Sequence, residues 1–280
     1  MGLLHADALA LFLLGGIASG TSGTTARRET ERLMSRRHTV PATLIILAAL
    51  VLLTPASAAA QVYQVEPNQA IGFNLGYFAV RSEDARCGGD TDCPDPDVIA
   101  ANLESLAFDV DDFNSFTFGG EWLFGLTEFI EGGIGAGFYQ SGVPSVYRRL
   151  THADGGEIEQ ELKLRIVPLT ATVRFLPLGR GSIQPYVGGG IGLFNWRYSE
   201  TGEFVDVDDL IFRNSYIAKG NSVGPVILGG IRAPVADVWM VGGEIRYQHA
   251  EGDIDPEIGM LSDRIDLGGW TTSFTVHLRF

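Results

Sequence analysis

Residues 270–280 read WTTSFTVHLRF. Trp270, Thr272, Phe274, Val276, Leu278 and Phe280 share one face, and Thr271, Ser273, Thr275, His277 and Arg279 share the other. A period of two marks a strand with one apolar and one polar face. This stretch is also about as long as a tilted strand needs to be to cross a bilayer. A soluble sandwich strand would alternate in the same way, so the residues before it decide between the two.

Seven more segments alternate: residues 70–80, 114–124, 129–139, 157–175, 183–198, 223–235 and 238–248. In the first, Ile71, Phe73, Leu75, Tyr77 and Ala79 oppose Gly72, Asn74 and Gly76. In the fourth the apolar set slips from Leu162, Leu164 and Ile166 to Leu169, Ala171, Val173 and Phe175, which predicts a bulge at Pro168. In the fifth, Phe194, Trp196 and Tyr198 change face, implying a second bulge or a strand rising out of the membrane. The connections alternate in length. Residues 81–112, 140–156, 200–221 and 249–264 read as long polar loops, and the three between them as short turns. Residues 96–106 suggest a short helix with Pro at its first turn.

The ten apolar residues 44–53 are too few for a membrane-spanning helix and suit the core of a signal peptide. Arg36 and Arg37 precede them, and Ala58, Ala59 and Ala60 follow as a small-residue cleavage site. The expected organisation is an N-terminal extension over residues 1–33, a signal peptide over 34–60 and a β domain over 61–280. Removing residues 1–60 takes five Arg and three acidic residues away and leaves a net charge of -16. That argues against nucleic acid as a partner, because polyanions repel. Cys87 and Cys93 are the only cysteines, and two thiols in an exported chain predict a disulfide over a metal site. The Asp-rich stretches (Asp90, Asp92, Asp95 and Asp97; Asp109, Asp111 and Asp112; Asp206, Asp208 and Asp209) match no complete calcium loop and read as solvated acidic loops.

The final strand, ending on Phe274, Val276, Leu278 and Phe280, resembles the C-terminal signal of bacterial outer-membrane β-barrels, which the barrel-assembly machinery reads. With the strand pattern and the G-x-G-x-G runs 133–137 and 188–192, residues 66–280 resemble the small barrels of the OmpA, OmpX and OmpW type. The resemblance implies an all-β fold: an eight-stranded antiparallel up-and-down transmembrane barrel with long extracellular loops. It also implies an outer-membrane location, lipid contacts, a monomeric state, and no cofactor or metal. An eight-stranded soluble barrel is the opposite assignment of the same faces. The Gly-rich polar face with few Lys favours the membrane reading.

Glu121, Glu131, Arg174, Arg232, Glu244, Arg246, His277 and Arg279 fall on the inward faces. Eight strands leave an interior that side chains fill, and buried charges there must pair. An interleaved Glu–Arg network that plugs the lumen is the expectation; a narrow channel or a conduit for hydrophobic molecules is the alternative. A lipid-modifying enzyme is a further class. His249 lies where the lipid A deacylase family carries its His, yet Ala250 and Glu251 replace the Ser-Asn that should follow.

Overall fold

A computed structural model describes residues 68–87, 95–206, 208 and 210–280. The chain runs β1 (Gln69–Val80), α1 (Glu83–Arg86), α2 (Val98–Asn102), a 3-10 turn (Val110–Phe113), β2 (Ser115–Gly125), β3 (Ile130–Thr151), β4 (Glu157–Phe175) and β5 (Gln184–Val205). It continues with β6 (Ile211–Pro234), β7 (Trp239–Gln248), β8 (Glu251–Asp253), a second 3-10 turn (Pro256–Ile258), β9 (Arg264–Asp266) and β10 (Gly269–Arg279). Eight strands form a closed barrel in the order β1-β10-β7-β6-β5-β4-β3-β2. β1 and β10 close it in unbroken antiparallel register from Ala70↔Arg279 to Val80↔Gly269. Phe280 extends the seam, exchanging backbone hydrogen bonds with Gln69. The expected N-terminal extension and signal peptide lie outside the described residues, as do Asp90, Asp92, Cys93 and Asp209.

The outward face of the barrel is apolar. Phe73, Phe118, Ile134, Val173, Ile191, Ile227, Ile245 and Phe274 all stand more than half exposed, where a water-soluble chain would bury them. Aromatic residues mark both rims: Trp122, Phe129, Phe175, Trp239 and Phe280 at one end, Tyr77, Phe116, Tyr247 and Trp270 at the other. From Trp270 to Phe280, at ~3.3 Å per residue and a tilt of ~40°, the belt is about 25 Å tall, the height of an outer-membrane barrel's apolar band.

β3 to β6 are far longer than the belt, and two expected loops are not loops. Most of residues 140–156 and 200–221 continue the strands as hairpins, leaving connections of only 152–156 and 206–210. The bulge expected at Pro168 is absent. β4 pairs with β5 without interruption from Gln160↔Gly202 to Phe175↔Val187, and its inward residues keep strict alternation. What changes at Pro168 is the surroundings. Below it, β4 turns Leu169, Ala171 and Val173 outward and Thr170, Thr172 and Arg174 inward; above it, Leu162, Leu164 and Ile166 turn inward. β5 does the same, with Phe194, Trp196 and Tyr198 buried in the upper half and an unbroken register with β6. Of the two readings for that strand, the unbroken register excludes the bulge, and the burial of these residues fits a strand that continues above the belt. The one register shift in β3–β4 lies at the hairpin tip, between Val146 and Thr151.

Inside the emergent β3–β6 wall lies an apolar core. Leu162, Leu164, Ile166, Phe194, Trp196 and Tyr198 pack against Val98, Ile99, Phe108 and Phe113 from the β1–β2 connection and Ile254, Ile265 and Leu267 from the β7–β10 connection. The expected helix at 96–106 is only α2, and Pro96 precedes its cap. Asp97 is the cap, accepting from the Ala100 amide at 2.9 Å. Asp97 is therefore buried, contrary to the solvated-loop expectation, and Asp109 and Asp112 form a reciprocal capping box.

Candidate functional site

The barrel interior within the belt is a layer of ion pairs. Arg174 projects from β4 and is fully buried. Its Nη1 and Nη2 donate to Glu121 Oε1 and Oε2 on β2 at 3.1 and 2.5 Å, and Nη2 also donates to Glu244 Oε2 on β7 at 3.1 Å. Its direct cross-strand neighbour Glu131 is more distant, at 3.9 Å. Glu131 instead takes both Nη groups of Arg232 from β6, at 3.1 and 2.7 Å, while Arg232 Nε donates to Gln184 Oε1 at 2.9 Å. Arg246 donates twice to Glu244 Oε1, at 3.1 and 2.7 Å, and lies 3.7 Å from Glu121. His277 Nε2 donates to Glu121 Oε1 at 3.0 Å. Three carboxylates thus meet three guanidinium groups, mostly in the bidentate geometry that makes such pairs strong.

Glycine makes room for this layer. A Cβ at Gly72 would lie 2.5 Å from the His277 ring, and one at Gly230 would lie 2.5 Å from Tyr186 Oη. Tyr186 is the member that reading only charged residues overlooks. It sits under both Arg174 and Arg232, with their guanidinium carbons 5.0 and 5.5 Å from its ring centre. Its hydroxyl donates to Glu244 at 3.0 Å. The available signal was its alternation in register with Gln184 and Gly188 on the inward face. The layer separates two small polar cavities. One, of about 40 Å³, is bordered by Glu121, Glu244 and Arg246 on its outer side; the other, of about 20 Å³, is bordered by Glu131, Arg232 and Arg180 toward the opposite mouth.

Arg279 does not join the network. Its Nη2 donates to the Asp237 carbonyl in the β6–β7 turn at 2.9 Å, and no carboxylate pairs with it among the described residues. Parity aims it inward, but register sets it beside Ala70 at the rim, beyond reach of Glu121 and Glu244. Phe274, Val276, Leu278 and Phe280 occupy the other face of β10, with Phe274 and Phe280 exposed and Val276 and Leu278 half-buried.

Above the belt, the two long connections are pinned to each other. Arg86 Nη1 donates to Asp97 at 2.5 Å and to the Asp266 carbonyl at 3.2 Å; the Asp266 amide donates to Asp97 at 2.9 Å. Arg81 pairs with Asp266 at 2.7 Å and donates to His249 Nδ1 at 3.2 Å. No periodicity in the sequence announces these contacts. His249 thus faces an Arg, and the other two described histidines face carboxylates, His152 on Glu203 and His277 on Glu121. Among the described residues no group of three or more His, Cys, Asp or Glu side chains is arranged to hold a metal ion.

The family model described as outer membrane protein beta-barrel domain matches residues 46–280. No curated protein matches the chain. Solved structures similar to it include OprG from Pseudomonas aeruginosa, at 10% identity over 79% of this chain and 99% of that one, with a TM-score of 0.44. The N-terminal β-barrel domain of Pseudomonas aeruginosa OprF is 12% identical over 77% and 99%, with a TM-score of 0.36. Outer membrane protein W of E. coli is 15% identical over 78% and 100%, with a TM-score of 0.39.

Proposed function

The chain belongs to the outer membrane protein beta-barrel domain family, and from that premise we propose that it is a structural and surface-interaction barrel whose lumen is plugged. It sits in the bacterial outer membrane, exported by a cleaved signal peptide, folded by the barrel-assembly machinery and monomeric. The observation that carries the plugged reading is Arg174, fully buried in the lumen and held by Glu121 and Glu244 over the ring of Tyr186. A permeating ion would have to break charge-assisted bonds in a site with little water to replace them. The apolar core above is a second obstruction, of a different chemistry. A non-catalytic role is supported by the three described histidines, each of which is engaged by a charged partner and, among the described residues, not by a hydroxyl or thiol nucleophile. The long emergent hairpins are the surface available to partners outside the cell. Planar-bilayer recording tests the reading: folded protein should give no steady unitary conductance. A steady, ion-selective current from the wild-type chain would favour the conduit reading and defeat this one.

A further inference from the structure

Just above the apolar belt, the outward face of β4, β5 and β6 carries a row of positive charge. Arg165 stands directly opposite Arg197, and Arg197 directly opposite Lys219. Arg197 and Lys219 are exposed and Arg165 is half-buried. Each lies four residues beyond the last exposed apolar residue of the belt on its strand: Leu169, Leu193 and Val223. Between them runs a polar rung in which Asn195 donates to Asn221 at 3.0 Å.

This arrangement is costly in isolation. Like charges directly opposite on neighbouring strands repel. The chain carries a net charge of -14, so acidic partners were available to selection, yet none pairs with the row among the described residues. The nearest lysine along β4, Lys163, does have one, in Glu161 at 3.3 Å. Arg165 Nε is, in addition, buried without a hydrogen-bond partner. Four residues of tilted strand raise the row about 10 Å above the last lipid-facing side chain, within the headgroup zone once the long side chains bend toward it.

We propose that Arg165, Arg197 and Lys219 bind the phosphates of a bisphosphorylated glycolipid in the outer leaflet. Spacing favours that occupant over a glycerophospholipid. Strands lie ~4.8 Å apart, so the ends of the row are about 10 Å apart, suited to two phosphates on opposite ends of a disaccharide. A single phosphate would leave part of the row unneutralised. The inference rests on the outer-membrane reading and is independent of whether the lumen is plugged.

The test uses the full-length protein, folded in a zwitterionic detergent and titrated with bisphosphorylated lipid A, fully dephosphorylated lipid A and phosphatidylglycerol. Native mass spectrometry reads the bound fraction. The bisphosphorylated lipid should bind most tightly and the dephosphorylated one should not compete. Replacing all three residues by Gln should weaken binding about a hundredfold, from roughly fivefold per basic side chain near an anionic surface. Arg165→Lys with Arg197→Lys should keep most of the affinity. A heat-modifiable gel shift confirms that each variant folds, and R197Q alone, with a roughly fivefold loss, serves if the triple variant does not. Equal binding of phosphatidylglycerol, undiminished binding by the Gln variants, or no binding of the bisphosphorylated lipid to the folded wild type would each overturn the proposal.

Discussion

Glu131→Ala should be the more damaging of two apparently equivalent changes in the lumen, and the contacts say why. Glu131 supplies both carboxylate oxygens to Arg232, which is almost wholly buried and is otherwise held only by Gln184 and the face of Tyr186. Its removal leaves a buried guanidinium without a counter-charge, a loss on the order of 3–5 kcal/mol. Glu244→Ala frees Arg246, which is partly exposed and can be solvated, while Arg174 retains its two bonds to Glu121. About half that cost is expected there. Urea unfolding in lipid vesicles, followed by tryptophan fluorescence, measures both. At a slope of about 2 kcal/mol per molar, Glu131→Ala should lower the midpoint by roughly 2 M. The double change Glu131→Leu with Arg232→Met should recover most of the loss, because an apolar pair of similar volume can replace a buried ion pair. If Glu131→Ala costs less than Glu244→Ala, or leaves the midpoint unmoved, the lumen is wet enough to solvate Arg232 and the account of a dry plug fails.

Deleting Phe280 should lower the amount of folded protein in the outer membrane while leaving refolding into detergent largely intact, because its side chain lies exposed on the apolar face; quantitative immunoblotting of membranes beside refolding yields checks this, and normal assembly in cells would rule out a signalling role. Glu200, above the belt, has its carboxyl pushed up by burial, against the opposing hydrogen bonds from Asn102 and Tyr198. A raised acid adds stability that is present below its unfolded value of about 4.3 and is lost as pH rises through its higher folded value. Glu200→Gln should therefore stabilise the protein at neutral pH, with the advantage fading toward pH 4; a pH-independent difference in thermal midpoint would contradict this. Cys87 and Cys93 should be inaccessible to alkylating reagents until reduced, as mass spectrometry of iodoacetamide-treated protein would show; labelling without a reductant would exclude the disulfide.

The alternation that identifies the barrel was legible because a lipid-facing strand must be apolar outside, whatever the lumen does. The upper half of the molecule was not legible by the same rule. There β4 buries Leu162, Leu164 and Ile166 on the face that carries Thr170, Thr172 and Arg174 lower down. Hydrophobicity follows the surroundings, and the surroundings invert where the strand leaves lipid for water. A pattern that changes phase looks like a bulge when the backbone has not moved. The hairpins of β3–β4 and β5–β6 were hidden for a related reason: once both faces are partly wet, polarity alone no longer separates strand from loop. The Arg86–Asp97 pair and its link to Asp266 join two connections far apart in sequence, and no local signal encodes that meeting.

Within the lumen, parity and height carry different information. Parity follows from counting by twos, and Arg174, Arg232, Arg246 and His277 each reach Glu121, Glu131 or Glu244. Height depends on register between strands, which single-strand patterns do not contain. Arg279 shows the consequence: it shares its face with His277, but one residue pair further along the barrel leaves it at the rim, bonded to the Asp237 carbonyl. Arg174 shows the converse. It stands opposite Glu131 by register, yet bonds to Glu121 one strand further round and to Glu244 across the lumen. In a barrel this narrow, a long side chain spans the interior, so its partner is chosen by depth and by the space that Gly72 and Gly230 leave, more than by adjacency. That freedom lets three carboxylates and three guanidinium groups from five different strands meet in one layer. It also makes the layer as a whole a property of the closed barrel, although the Glu244–Arg246 pair and the 3.9 Å Glu131–Arg174 contact each lie within one hairpin.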